Sequence, residues 1–414
     1  MPEKINILLQ GFCSGLVRKL KESELLGNIY ILEKDYFIAE DLGCICLGDH
    51  KTTKISELKN LIKEKNIHFI VIFSQAYLYK GFTDFFRYNK IPVIGVTKKW
   101  FELESSKIRG KKFMENNNII TPEYKIIKDI KDLPDIIKTF GFPLVLKNND
   151  LCAGFGAYIC ENEKECRLAL KKIFKKSSLC IAERFIKGRE LSQQYLWDGN
   201  KLIPFLPVRD YKKLKEHDRG INTGGLGSYV PIELNDIENQ LLNEYNRKLN
   251  IIFKQNSPDF TGVFTADLLF GEDRVYTLEF NMRPCITEFE TLIEHMDCDL
   301  LKLLYKCALG QADEKEIAYK NGITACVALA HKNYPKQKRK IFNIKLERYI
   351  SLADNDVKLN IKARSINEEK LEISAKRIFM TVLCTDKINP FKKIYKYLET
   401  FDSKNIYFRK DIGE

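Results

Sequence analysis

Four short apolar runs punctuate the first hundred residues, at 5–9, 28–32, 68–73 and 91–96. Each is rich in β-branched side chains and has the length of one strand. Between the second and third runs, Ile55, Leu58, Leu61 and Ile62 recur at helical spacing. Alternation of strand and helix predicts a small doubly wound parallel sheet over residues 1–103. From 104 the pattern changes. A charged helix over 104–115 runs out at Asn116-Asn117-Asn118, and Thr121-Pro122 breaks the chain. Strands at 144–146 and 157–160 flank a glycine-containing loop, and a helix at 163–175 turns Cys166, Leu170, Ile173 and Phe174 inward. A strand at 179–186 closes what reads as a small α+β lobe, 104–187. Residues 188–315 form a third part, with a glycine-rich stretch and an acidic strand pair. Residues 316–414 again alternate strands (325–330, 377–383) with a helix (390–400).

The composition is that of a soluble globular protein: 414 residues, 44% hydrophobic and 30% charged. No apolar run reaches the roughly 18–20 residues that span a bilayer. The first run is too short, in surroundings too polar, for a secretory signal. A cytoplasmic protein without a membrane partner is expected. The 12 cysteines are scattered without a C-x-x-C pair, and the 5 histidines are dispersed, so no transition-metal site is expected. Net charge is +12, but the lysines are spread along the whole chain. They read as solvated helix faces, and no nucleic-acid partner is expected. The excess still favours anionic substrates.

The strongest chemical signal is a hairpin. Asp267-Leu268-Leu269-Phe270 and Leu278-Glu279-Phe280-Asn281 flank a turn at 271–274. Alternation puts Glu279 and Asn281 on one face of their strand. Acids on apolar strands are costly unless paired or bound to metal, and this oxygen donor set suits Mg²⁺. An exposed polar face on an edge hairpin would look the same, and periodicity leaves both readings open. A second signal is Lys147 at the end of an apolar strand, ahead of Gly154 and Gly156; a lysine and a glycine loop can cover a phosphate. A third is Asn222-Thr223-Gly224-Gly225-Leu226-Gly227-Ser228, where backbone can approach a ligand closely, although a plain loop reads the same. A fourth runs from Glu183 to Glu190 as a strand and hinge, with two acids able to meet adenine and ribose.

The order and spacing of these signals resemble the ATP-grasp enzymes, and among them the glycinamide ribonucleotide synthetase (phosphoribosylamine–glycine ligase) family. The likeness runs over nearly the whole chain. Glu104-Ser105-Ser106-Lys107 with Lys111, Phe113 and Met114 is similar to the family's E-x-S-K-x-x-x-K-x-F-M. The most specific stretch is Asp210-Tyr211-Lys212-Lys213 followed by Asn222-Thr223-Gly224-Gly225, like the family's D-H-K-R and N-T-G-G at the same separation. Glu279-Phe280-Asn281-Met282-Arg283, Asn333-Tyr334-Pro335 and the tail from Tyr407 to Gly413 continue it. The resemblance implies an ATP-grasp fold of mixed α/β and α+β domains, with an N-terminal doubly wound domain and a C-terminal α/β domain. It implies ATP bound by Lys107, Lys147, Gly154, Gly156, Glu183, Phe185, Glu190 and Lys212. Mg²⁺ (or Mn²⁺) falls to Glu279, Asn281 and Asp267. Arg283, Asn222 and Gly225 stand at the reacting centre, and Asp210, Thr223, Gly224, Glu290 and Thr291 near the substrates. The reaction implied is activation of a carboxylate as an acyl phosphate and its capture by an amine. The family's frequent monomers imply a monomer or weak dimer.

Departures gather in the amine half. The family's glycine-rich first loop, with its Arg, Glu and His, is replaced by Gly11-Phe12-Cys13-Ser14-Gly15-Leu16. Its P-E-x-P-L becomes Ser74-Gln75-Ala76-Tyr77-Leu78. Its loop lysine is Phe155, and its R-F-G-D-P-E-T is two residues longer, from Arg283 to Thr291. Asp267 stands where the family usually has no acid. Three functions are therefore weighed: the purine-pathway ligase, a paralogue joining another carboxylate to another amine, and a nucleotide-binding protein without catalysis. The acids on the hairpin speak against the last.

Overall fold

The computed structural model describes residues 2–11, 14–32, 42–48, 55–152, 154–335, 356–361, 364–367, 370–372, 378–401 and 404–414. Phe12 and Cys13 of the altered first loop, and Arg377 of the expected C-terminal strand, lie outside them. Among the described residues no helix is long and apolar enough to cross a membrane.

The N-terminal runs form a five-stranded parallel sheet in the spatial order Ile45–Cys46, Leu26–Ile31, Ile5–Gln10, Phe69–Ile72, Val93–Ile94. Its alternate side chains feed two different cores. Ile5, Ile7 and Leu9 join one cluster and Leu8 joins the other, as period-two alternation requires of a sheet covered on both faces. The order reverses between Ile5–Gln10 and Phe69–Ile72. Open α/β sheets bind ligands beyond the carboxyl ends of such a pair.

The expected single helix over 104–115 is two helices, Lys98–Ser105 and Lys107–Asn116. Ser106 is extended, at φ −135° and ψ 110°, and its hydroxyl accepts the Arg109 N–H. Ser and Thr favour this role because they satisfy an orphan donor of the first turn. The break puts Lys107 at a helix N-terminus, and its backbone N–H donates to Asn149 O at 3.0 Å.

Residues 124–184 carry a four-stranded antiparallel sheet ordered Tyr124–Ile127, Cys180–Arg184, Leu144–Asn148, Ala157–Cys160. The helices Leu133–Phe140 and Glu163–Ile173 close a separate core on it, built from Ile127, Leu144, Leu146, Cys166, Leu170 and their neighbours. Leu202–Pro204, Arg189–Trp197, Gly262–Phe270 and Val275–Asn281 make a second antiparallel sheet. The third has strands from two parts of the chain. Arg209–Asp210 and Gly227–Val230 pair onward to Ile323–His331, Ile378–Asp386 and Val357–Ile361. The glycine-rich loop thus hangs between the central and C-terminal sheets.

Candidate active site

The hairpin Gly262–Phe270/Val275–Asn281 sets the register of the site. Asp267 pairs with Glu279 and Thr265 with Asn281, with a register shift between Asp267 and Leu268. Asn281 Nδ2 donates to Asp267 Oδ2 at 3.2 Å. The three side chains read from the sequence as metal donors are therefore neighbours, and the polar face is turned inward: Asp267 is 4% exposed.

Each acid is held by a lysine from elsewhere. Lys107 Nζ ion-pairs with Glu279 Oε2. Lys212 Nζ lies 2.8 Å from Asp267 Oδ2 and 4.0 Å from Asp210 Oδ2. Lys147 and Lys111 converge on Glu183, at 2.8 and 2.9 Å. Cations and carboxylates alternate along the cleft. The alternation explains their ionisation. Burial opposes charge on Glu279, but Lys107, Lys147 and Lys212 outweigh it and hold the carboxyl down at about 2. Burial pushes Asp267 up, against the pull of Lys212 and with the push of Glu279. Burial, with Glu288 beside it, raises Asp210 well above the carboxylate range. Burial brings Lys111 down to about 8, since Glu183 offsets it only in part and Lys147 adds to it.

The glycine-rich loop is fixed to the same residues. Thr223 donates its N–H to Lys212 O at 2.7 Å and its hydroxyl to the same oxygen at 2.9 Å. Gly225 N–H donates to Thr223 Oγ1 at 3.2 Å. At Gly225, φ is +93° and a Cβ would lie 2.5 Å from Thr287 Oγ1, so no other residue fits. Opposite, Gly154 has φ +86° and a Cβ there would lie 2.2 Å from Thr223 O. Gly154 thus lies directly on the glycine-rich loop, while buried Gly156 ends its own loop, its O accepting the Asn148 N–H.

Arg283 leaves the hairpin tied to Glu104, Nε to Oε1 at 3.2 Å. Glu104 also accepts the Gln75 amide at 2.6 Å and the Met282 N–H at 2.8 Å. Asp210 Oδ1, Asn222 Oδ1 and Asp267 Oδ1 are buried without a hydrogen-bond partner. Buried oxygens of this kind call for an absent partner.

Other expected residues stand apart or in other roles. Glu183, expected near adenine and ribose, is 1% exposed between two lysines. Phe185 is half-buried on the hinge, and Glu190, exposed in the strand Arg189–Trp197, adds its charge to that around Lys212 and Asp210. Gly224 is exposed at the loop tip. Glu290 accepts from Thr381 Oγ1 at 2.6 Å, facing the C-terminal sheet, and Thr291 pairs with Ser228 at 2.7 Å. It is Glu288, 3% exposed and adding to the charge around Asp210, that turns toward the cleft. Glu288, Glu104 and Lys111 belong to the cleft without having been expected there. Glu104 and Lys111 did stand in the quoted motif, Lys111 at helical spacing from Lys107.

Family models of the phosphoribosylglycinamide synthetase N domain, over residues 10–104, and of its ATP-grasp (A) domain, over residues 105–289, match this chain one directly after the other. The chain belongs to the phosphoribosylglycinamide synthetase family. It is an ATP-grasp C–N ligase. A phosphoribosylamine–glycine ligase of Clostridium acetobutylicum is 26% identical over 413 residues, 96% of this chain and 95% of that protein. One of Fusobacterium nucleatum is 28% identical over 383 residues, 89% and 88% of the two chains. In fold, the chain is similar to the crystal structure of phosphoribosylamine–glycine ligase from Thermotoga maritima, with a TM-score of 0.77, 20% identity, and 98% and 100% coverage. It is also similar to the biotin carboxylase domain of a 2-oxoglutarate carboxylase from Hydrogenobacter thermophilus solved with MgADP, with a TM-score of 0.72, 16% identity, and 99% and 92% coverage. Family membership places the lysine–carboxylate cleft within the ATP-grasp unit.

Proposed function

We propose that this ligase joins glycine to 5-phosphoribosylamine, forming glycinamide ribonucleotide, ADP and phosphate. The observation that carries the reading is the cleft itself: Lys107, Lys147 and Lys212, each held by a buried or half-buried acid, under a loop seated on the glycine-rich loop. Phosphoryl transfer asks for positioning and charge neutralisation more than for a protein nucleophile. A carboxylate oxygen attacks the γ-phosphorus and ADP leaves. The amine nitrogen then attacks the acyl carbon, phosphate leaves, and the amine proton passes to solvent or phosphate. In this reading Lys107 and Lys147 turn from Glu279 and Glu183 toward the phosphates. Lys212 and the 222–225 loop lie beside the transferred group. Arg283, its Nε side fixed by Glu104, offers its fork to the carboxylate.

Asp267, Glu279 and Asn281 fit a divalent cation. They are oxygen donors on adjacent strands, and Asp267 Oδ1 is buried without a partner. Mg²⁺ (or Mn²⁺) held there would neutralise charge on the ATP phosphates. The parts read here are an amine-binding domain (1–103), an ATP lid (104–187), a catalytic core (188–315) and a C-terminal domain (316–414). All 11 described cysteines are free, which supports a reducing, cytoplasmic setting, and we read the protein as a monomer or weak dimer.

One observation favours a second reading with the same chemistry. Gln75, where the family has an acid, spends its amide on Glu104, and Gln10 at the carboxyl end of the first strand is 1% exposed with neither amide atom partnered. A differently shaped amine would suit that pocket. The deciding experiment measures ADP and phosphate release from ATP with Mg²⁺, across glycine and other amino acids, with and without freshly made phosphoribosylamine. Release that needs both glycine and phosphoribosylamine supports the first reading. Release with another pair, and none with that one, supports the second.

A further inference from the structure

The loop 148–156 carries Phe155 where the resemblance leads one to expect a lysine. A lysine there would point charge at the phosphates; a phenyl ring has none to offer. The ring of Phe155 instead meets Tyr334 edge-on, with centroids 5.8 Å apart and planes at 66°. Tyr334 is 7% exposed and packs with Leu226 and Ala330, and Phe155, Leu214, Ile378 and Tyr407 close around the three. One apolar cluster therefore joins the loop over the cleft, the glycine-rich loop and the C-terminal sheet.

The other end of Tyr334 is polar. Burial raises the pKa of its hydroxyl, and the neighbouring Gly224 backbone and Thr223 side chain counter part of that rise. Thr223 is the residue that hangs on Lys212 O and takes the Gly225 N–H, and its carbonyl is the atom Gly154 approaches so closely. The contacts form one chain: Phe155 to Tyr334, Tyr334 to Thr223 and Gly224, Thr223 to Lys212. Tyrosine suits the middle of it because one end is apolar and the other needs a partner.

We propose that Phe155 and Tyr334 form a latch, in which closure of the 148–156 loop over nucleotide and placement of the 222–225 loop are set by the same contact. Tyr334 is a positioning residue and touches no reacting atom. The latch rests on the reading that ATP lies under the 148–156 loop. It replaces a charge contact with a half-buried ring packed on an apolar cluster, so its hold on the loop is insensitive to salt.

The test uses the full-length protein with ADP and Mg²⁺, followed by hydrogen exchange of the peptide covering 148–156. In the wild type, saturating ADP slows exchange of this peptide. Phe155→Ala should lose that slowing by at least tenfold, and Phe155→Leu should keep most of it. Tyr334→Phe, which keeps the ring and removes the hydroxyl, should retain the slowing yet lower kcat several-fold with KM for ATP within twofold. A Phe155→Ala protein protected like the wild type overturns the latch, and so does a Tyr334→Phe enzyme with unchanged kcat. Absence of protection in the wild type sinks the nucleotide assignment beneath it. Failure of glycine or phosphoribosylamine to serve as substrate leaves the exchange arm unaffected, because that arm uses neither.

Discussion

Glu279 shows how much one carboxylate can be asked to do. Three lysines stabilise its charge, and it stands opposite Asp267 on the neighbouring strand. Glu279→Gln keeps the shape and removes the charge. Turnover should fall by at least about 100-fold, the scale for losing a metal-site or transition-state contact. The melting temperature should shift little, because the Lys107 partner is partly open to the cleft. Activity near that of the wild type would remove Glu279 from the metal set. His295 makes a different prediction. It is 2% exposed, with Nδ1 2.9 Å from Thr324 Oγ1 and its ring stacked on Tyr319. Burial, aided by Lys320, brings its pKa from 6.5 down to about 4. As pH falls below 6.5 the unfolded chain takes the proton and the folded protein does not. The stability present above 6.5 is therefore lost progressively down to about 4, by as much as ~3 kcal/mol. His295→Gln should flatten that part of the acid-unfolding curve, and an unchanged slope between pH 6.5 and 4 would count against it.

The elements explain which of these residues could be read in advance. Strand alternation is local, so Glu279 and Asn281 were legible on one face, while the pairing of Asp267 with them and their inward turn needed the fold. Glu183 was not. Its partners Lys111 and Lys147 come from another helix and another strand, and no spacing announces such a meeting. Glu288 and Glu290 were hard to tell apart because the stretch from Arg283 is two residues longer than the family pattern. The helix Ile286–His295 decides between them. Two positions on a helix turn by about 200°, so one acid faces the cleft and the other Thr381. The single helix expected at 104–115 failed for a local reason, the Ser106 cap, which competes with continuing the helix. The glycine loop carries its own prediction. Gly154→Ala adds a methyl group 2.2 Å from Thr223 O at φ +86°. The loop must then open, so kcat/KM for ATP should drop at least tenfold. The melting temperature should barely change, since Gly154 is exposed and outside the cores. A mutant with normal kcat/KM would show that the close approach is dispensable.

At the scale of the whole molecule, stability is shared unevenly. The first cluster joins the N-terminal sheet, the helices Ile286–His295 and Leu300–Ala308, and the C-terminal sheet. The second joins the other face of the N-terminal sheet to the central hairpin. Neither the N-terminal sheet nor the C-terminal sheet can leave without stripping apolar surface from its neighbours, and burial of such surface is the main force holding them. The unit 124–184 is different: its core is its own. Its ties to the rest are few, among them Glu183 with Lys111, the Lys107 N–H with Asn149 O, the close approach of Gly154 to Thr223, and the Phe155 ring against Tyr334. Free energies of local opening follow such divisions. Without nucleotide, native-state hydrogen exchange should show the strands Tyr124–Ile127, Leu144–Asn148 and Cys180–Arg184 opening together, at lower free energy than Ile5–Gln10 and Gly262–Phe270. ATP with Mg²⁺ should raise the first group selectively, because ligand bound only to the closed form stabilises by mass action what must close around it. If all five strands exchange through one global opening, with or without nucleotide, the lobe is not a separate unit and closure must come from the 148–156 loop alone.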